Sequence, residues 1–265
     1  MKNKQIAIIG SGIMGEALVR SLLRVGIPPS KITVIEKREE RLKEIQSTYK
    51  ISVGSITKCD VVFIAVKPQD LEETLRFIRN DLYESVLIVS FVAGQKLSFI
   101  EGFLRPLQRV VRVMSNTPMT LGKGFCAISL GRTATDEDTQ WLKEVLSASG
   151  KVNIIPEHLQ DTITALSGSG PAYFFTMVEV MAAAGERLGL SAVESLEIAK
   201  QVLIGAAAMV ENSGIHPKTL RENVTSPNGT TFAALQVLND EGYSELIYKA
   251  IKAAHDRAVE MGRGQ

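Results

Sequence analysis

The chain has 265 residues, 45% of them hydrophobic and 22% charged, with a formal net charge of +1. That length buries a sizeable core as one large domain or two modest ones, and the near-neutral balance gives no reason to expect a nucleic-acid or membrane partner. Its two cysteines, Cys59 and Cys126, lie far apart and outside any CxxC or Cys/His cluster, so they read as reduced core residues and no metal site is expected.

At the N-terminus two lysines lead straight into an apolar run and a Gly-rich turn, without the features of a signal peptide, so the expected location is the cytoplasm. Short apolar runs follow at Ile6–Ile9, Ile32–Ile35, Val61–Val66, Val86–Val92 and Val110–Met114, all too short to span a bilayer. Helix-like segments separate them, which predicts a parallel, doubly wound sheet. Glu16 to Val25 places Ala17, Leu18, Ser21, Leu22 and Val25 on one face and stops at Gly26 and Pro28, the pattern of a crossover helix. Two more strands, Phe125–Leu130 and Val152–Ile155, bracket a predicted helix from Asp136 to Ser149 capped by Thr135, and the sheet is expected to end near Ile155.

After about residue 163 the strand runs stop and long helices rich in small residues take over. Ser191 and Glu194 have capping-box spacing, and Gly214 sits where the helix they open would stop. The predicted organisation is an α/β, Rossmann-type domain over 1–162 and an all-helical domain over 163–265. A helical segment of roughly 100 residues makes a poor solitary core, so it is expected to pack on the first domain and on a second subunit, at least as a dimer.

Ile6–Ile9 runs directly into Gly10-Ser11-Gly12-Ile13-Met14-Gly15 and then into the amphipathic helix. In that strand-to-helix setting Gly10 permits the tight turn, Gly12 lets backbone approach a pyrophosphate at the helix N-terminus, and Gly15 lets helix pack on strand. A lone GxGxxG is only a glycine-rich turn; with Ile32–Ile35 ending at Glu36 about twenty residues on, it reads as a dinucleotide site. Glu36 suits the ribose hydroxyls of NAD, while Lys37 and Arg38 suit the 2′-phosphate of NADP or a plain solvated face, so the coenzyme is NADPH or NADH. Lys67-Pro68, at the carboxyl edge of the sheet, faces phosphate, ribose or solvent.

Five segments, in order, resemble the pyrroline-5-carboxylate reductase family: Gly10–Gly15, Ala65-Val66-Lys67-Pro68, Met114-Ser115-Asn116-Thr117-Pro118, Leu166 to Tyr173 (LSGSGPAY), and Val224 to Thr231 (VTSPNGTT). The first is shared by many dehydrogenases, whereas the last two are more particular to this family, and together they cover essentially the whole chain. The resemblance implies hydride delivery from NADPH or NADH to the imine carbon of 1-pyrroline-5-carboxylate, giving L-proline in the last step of proline biosynthesis. It also implies a helical C-terminal domain that interlocks in a homodimer, with larger assemblies of dimers in some relatives. Ala65, Val66, Lys67, Pro68 and Asn116 join the glycine loop and Glu36 to Arg38 as its implied cofactor residues. Two positions depart from the family pattern: Ser115 stands where proline is usual, and Asn228 where glycine is usual. Asparagine tolerates a left-handed backbone, so the loop should survive.

Phe232, Leu235 and Leu238 predict a helix beginning near Thr230, just after the turn at Pro227-Asn228-Gly229. Ser226, Thr230 and Thr231 then either cap that helix or, with its free N–H groups, cradle a substrate carboxylate. The resemblance favours substrate binding by Ser226, Asn228, Gly229, Thr230 and Thr231, with Thr231 hydrogen bonding near the imine nitrogen as the catalytic candidate. Ser167-Gly168-Ser169-Gly170-Pro171 is a domain hinge with Pro171 in the following helix's first turn, or a cleft floor near cofactor and partner subunit. Asn116 binds the nicotinamide side or fixes its own turn. No acid is required, because a protonated iminium arrives from solvent already electrophilic, and the isolated His158, His216 and His255 receive no role. A β-hydroxyacid dehydrogenase would carry a lysine on the helix after the second-domain glycines, and Pro171 to Leu190 has none. A nucleotide-binding scaffold without activity would have degraded the substrate turn, whose Ser226, Gly229, Thr230 and Thr231 are intact.

Overall fold

All four residues of Ile6–Ile9 (β1) are buried, Ile6 and Ile8 in one apolar cluster and Ala7 and Ile9 in a second. A strand covered on both faces needs a continuous apolar run rather than an alternating one. The computed structural model describes residues 3–263. There β1 is followed by helix α1 (Ile13–Arg24), strand β2 (Ile32–Ile35), helix α2 (Glu39–Tyr49), a two-residue strand β3 (Ser52–Val53), strand β4 (Val61–Ile64), helix α3 (Leu71–Asp81), strand β5 (Leu87–Ser90) and helix α4 (Leu97–Phe103). Strands β6 (Arg109–Met114) and β7 (Gly124–Leu130), helix α5 (Asp136–Ser147) and strand β8 (Gly150–Ile154) complete the sheet, whose order is β3-β2-β1-β4-β5-β6-β7-β8.

The five runs read as a parallel sheet do pair in parallel, in the order β2-β1-β4-β5-β6, whereas the two further strands reverse: β7 runs antiparallel to β6, and β8 then runs parallel to β7. The reason is loop length. A parallel return needs a crossover of a dozen or more residues, and between Met114 and Gly124 there is only a short turn, Thr117–Leu121. The α5 connection is long enough, and its capping box of Thr135 with Asp138 fixes where it starts. β4 and β5 are also shorter than the apolar runs predicted, because Ala65, Val66, Phe91 and Val92 lie beyond the ladder, in the loops at its carboxyl edge.

The remaining elements are helical: α6 (Gln160–Ile163), a π-helical turn at Thr164–Gly168, α7 (Gly170–Arg187), α8 (Ala192–Asn212), α9 (Pro217–Asn223), α10 (Thr230–Asp240) and α11 (Tyr243–Arg263). Residues divide into two compact units, one running to Ser169 and including the stretch from Ala254 onward, the other Gly170–Ala253. In the second unit α7 and α8 pack closely at Gly185, where a Cβ would come within 2.7 Å of the Ser195 hydroxyl. The Ser191–Glu194 capping box opens α8, and Gly214, left-handed at φ +67°, follows its end. Many large apolar side chains of α7 and α8, among them Phe174, Phe175, Val193, Ile198 and Ile204, are exposed in the single chain. No helix of the described residues is long and apolar enough to cross a membrane.

Candidate active site

The three glycines of the first loop are required for different reasons. Gly10 is left-handed at φ +91°, and a Cβ there would come within 2.6 Å of the Ala65 carbonyl oxygen. A Cβ on Gly15 would fall on the Gly10 carbonyl oxygen, well inside contact distance. Gly12, the N-cap of α1, meets nothing: a Cβ would stand in open space, with no protein atom within 4 Å. No internal contact demands glycine at that position, and the open space lies at a helix N-terminus, where free backbone N–H groups can receive an anion. Beside it Ile13 is exposed, while Ser11 is buried.

Ser11 is buried because the end of β2 holds it. Its backbone N–H (3.0 Å) and hydroxyl (2.9 Å) both donate to the Glu36 carboxylate. Arg38 donates to the same carboxylate from its backbone N–H, from Nε and from Nη2, each at 3.1 Å. Burial alone would raise the Glu36 carboxyl, but these hydrogen bonds from Arg38 and Ser11 outweigh it and bring it down to about 2. Arg41 reaches the loop as well, donating from Nε to the Ser11 carbonyl at 2.8 Å and pairing with Glu16 and Glu44. Glu16 also accepts from Arg20 and Tyr49, and with Arg41 these partners overcome the effect of burial and lower its carboxyl to about 2. Lys37 pairs with Glu73 at the surface.

Next to this loop a cleft of ≈ 250 Å³ opens at the carboxyl ends of the central strands, where ligands of doubly wound sheets bind. Met14, Ala65, Val66 and Asn116 line it, together with Phe91, Ala93, Met114, Ser115, Thr117 and Gly168. Lys67 and Pro68 stand just beyond its wall, Lys67 exposed at the N-cap of the Pro68–Asp70 turn. Phe91 and Ala93 carry no polar motif. Only their place past the end of a buried strand could have pointed to them.

Asn116 ties the cleft together. Its Oδ1 accepts from the Phe125 N–H (3.0 Å), and its Nδ2 donates to the Ser167 carbonyl (3.3 Å) and hydroxyl (3.2 Å). Ser167 and Gly168 belong to the π-helical turn, a distortion that recurs at functional sites. A Cβ at Gly168 would meet the terminal methyl of Met114, the movable end of a side chain that lines the cleft. Ser115 is accommodated in place of proline, buried, with its hydroxyl 3.1 Å from the Met14 sulfur.

In the second unit, Ser226-Pro227-Asn228-Gly229 forms a tight turn closed by the Gly229 N–H donating to the Ser226 carbonyl at 3.1 Å. Asn228 is left-handed at φ +59°, the conformation glycine would adopt most easily. Space at Gly229 is tight, because a Cβ would meet the Ser226 hydroxyl and come within 3.1 Å of the Ser226 carbonyl oxygen. Gly229 is the N-cap of α10 and supplies no side-chain cap. The turn thus brings Ser226, Asn228, Gly229, Thr230 and Thr231 to one helix start; Ser226 and Thr230 are exposed and Thr231 is half-buried.

Two family models match the chain: pyrroline-5-carboxylate reductase dimerisation over residues 157–261, and NADP oxidoreductase, coenzyme F420-dependent, over residues 5–94. A pyrroline-5-carboxylate reductase of Methanosarcina acetivorans is 36% identical, the match covering 99% of this chain and 100% of that protein. Among solved structures, a pyrroline-5-carboxylate reductase from Coxiella burnetii superposes with a TM-score of 0.91 at 31% identity, covering 97% of this chain and 98% of the other. A Plasmodium falciparum pyrroline carboxylate reductase solved with NADP bound gives 0.87 at 26% identity, covering 99% of each.

Proposed function

Because this chain belongs to the pyrroline-5-carboxylate reductase family, we propose that it works as those enzymes are named to work. It is an oxidoreductase that reduces 1-pyrroline-5-carboxylate to L-proline with NADPH or NADH, the last step of proline biosynthesis. The observation that carries this reading is the match over the full length of a named reductase, and the open cradle at Gly12 and the cleft beside it support it.

In this reading the first unit holds the coenzyme. The N–H groups at the start of α1 receive the pyrophosphate over Gly12, Met14 with Ala65 and Val66 forms the wall of the nicotinamide cleft, Lys67 and Pro68 edge it, and Glu36, Lys37 and Arg38 stand at the adenosine end. Asn116 acts chiefly by fixing the cleft floor, since both ends of its amide are already engaged by Phe125 and Ser167. The coenzyme supplies a hydride.

The helical segment receives the substrate: the Ser226 hydroxyl and the uncapped N–H groups at Thr230 and Thr231 hydrogen bond the carboxylate, and the left-handed Asn228 shapes the turn. Thr231 is the group assigned to the imine nitrogen. Its hydroxyl orients the protonated ring, so the proton ends on nitrogen and the hydride on carbon without a side-chain acid. Orientation and exclusion of water then contribute much of the rate. We assign residues 1–162 to coenzyme binding and 163–265 to substrate binding and dimerisation. The homodimer covers the apolar faces of α7 and α8, larger assemblies are built of such dimers, and the enzyme acts in the cytoplasm, where Cys59 and Cys126 stay reduced.

Steady-state kinetics with 1-pyrroline-5-carboxylate test the assignment. Ser226→Ala should raise KM for the imino acid about tenfold, the cost of one charge-assisted hydrogen bond, and Thr231→Ala should act mainly on kcat. Unchanged constants in both variants would remove the turn from the active site.

A further inference from the structure

Resting on the coenzyme reading above, we infer that Arg38 selects the 2′-phosphorylated coenzyme, and that Glu36 is its positioning residue rather than an acceptor for ribose hydroxyls. An acidic residue at the end of the second Rossmann strand ordinarily accepts from the adenosine ribose and so favours NAD. That role needs free lone pairs. An ionised carboxylate offers about four acceptor positions, and Glu36 already takes the two bonds from Ser11 and the three from Arg38. Its side chain is only 9% exposed, whereas that of Arg38 is 66% exposed. To bind a ribose diol, Glu36 would have to release the Arg38 fork or let go of the glycine loop.

Arg38 is in the opposite state. Nε and one N–H of Nη2 are turned to Glu36, which fixes the plane of the guanidinium, and its remaining donors lie on the exposed edge. The other cations nearby are differently placed. Arg41 spends Nε, Nη1 and Nη2 on Ser11, Glu44 and Glu16 and is mostly buried, so it braces the loop from within. Lys37 is tied to Glu73 in a fully exposed pair, the weak kind that contributes little. A dianion arriving from solvent therefore meets the held edge of Arg38 first, with Glu36 farther away behind it.

Calorimetry with adenosine 2′,5′-bisphosphate and with 5′-AMP separates this inference from the reading beneath it. Wild-type protein should bind the bisphosphate about tenfold or more tightly than AMP, as one bidentate arginine–phosphate contact implies. Arg38→Ala, at an exposed position, should fold normally, lose that preference and bind AMP at least as well as before, because Glu36 regains free oxygens. Arg38→Lys should keep only part of it. Glu36→Gln, which can still accept from Ser11 but holds the Arg38 fork less firmly, should lower affinity for the bisphosphate more than for AMP, whereas loss of a true ribose acceptor would lower affinity for both alike. The ratio of kcat/KM for NADPH to that for NADH should follow the same order. Equal binding of the two nucleotides to wild type, or a preference that survives Arg38→Ala, would overturn the inference. Failure of folded wild-type protein to bind either nucleotide would instead overturn the coenzyme reading, and the inference with it.

Discussion

Gly12 and Gly15 stand three residues apart in one loop and should fail in opposite ways when given the same methyl group. At Gly12 the backbone is at φ −64° and ψ −166°, which alanine adopts freely, and no protein atom lies within 4 Å of the added carbon. Gly12→Ala should leave stability within about 1 kcal/mol, the restricted unfolded chain offsetting a slightly poorer N-cap. The methyl occupies the space assigned to the pyrophosphate, so coenzyme affinity should fall at least tenfold, about 1.4 kcal/mol. At Gly15 the added carbon meets the Gly10 carbonyl, with the Gly10 carbonyl carbon at 2.9 Å and the Ile8 side chain at 3.6 Å. Backbone cannot swing aside as a side chain can. Gly15→Ala should therefore cost about 1–3 kcal/mol, a fall in Tm of roughly 3 to 10 °C for a unit of this size. Thermal unfolding by circular dichroism and titration of the coenzyme by fluorescence read the two effects separately. An unstable Gly12→Ala, or one that binds coenzyme like the wild type, would refute the argument that a ligand rather than the protein requires that glycine.

Asn228→Gly should leave turnover of 1-pyrroline-5-carboxylate within about twofold and stability equal or slightly higher, while Asn228→Val, forced to φ +59°, should cost about 1–3 kcal/mol in urea denaturation. Acid should weaken the glycine-loop region in a defined window. The Glu16 and Glu36 carboxyls are lowered from 4.5 to about 2 in the folded chain, so the stability they contribute is complete above pH 4.5 and is lost as pH falls towards 2. Urea midpoints for Glu16→Gln should accordingly decline less steeply across that window than those of the wild type, and parallel curves would contradict this. Burial pushes the Cys59 thiol up to about 11 and the Cys126 thiol up to about 12, so a thiol reagent at pH 8 should modify neither quickly until denaturant is added.

What could be read from sequence was whatever chain-local chemistry decides. The apolar run of β1, the glycine spacing, the Thr135 and Ser191 caps and the helix start at Thr230 each depend on neighbours within a few residues, and each is found where the pattern puts it. The left-handed Asn228 was legible for the same reason. The two-residue β3 was not, because Ser52-Val53 has no apolar pattern of its own and is a strand only by pairing with Thr33 and Val34. The reversal at β7 lay hidden in a connection length that apolar runs do not register. In the site, sequence leaves Glu36 open between ribose acceptor and charged surface. Only the folded chain brings Ser11 and Arg38 onto its carboxylate, from 25 and two residues away. Arg41 and Phe91 were missed because one resembles any helix-surface arginine and the other any core aromatic until loop and cleft stand beside them.

The most direct test of the central assignment follows purified protein with 1-pyrroline-5-carboxylate and reduced coenzyme, measuring coenzyme oxidation and L-proline formation together. Equal amounts of L-proline and oxidised coenzyme, faster with NADPH than with NADH, are the predicted result. A folded protein that binds coenzyme yet forms no proline with either one would contradict the account.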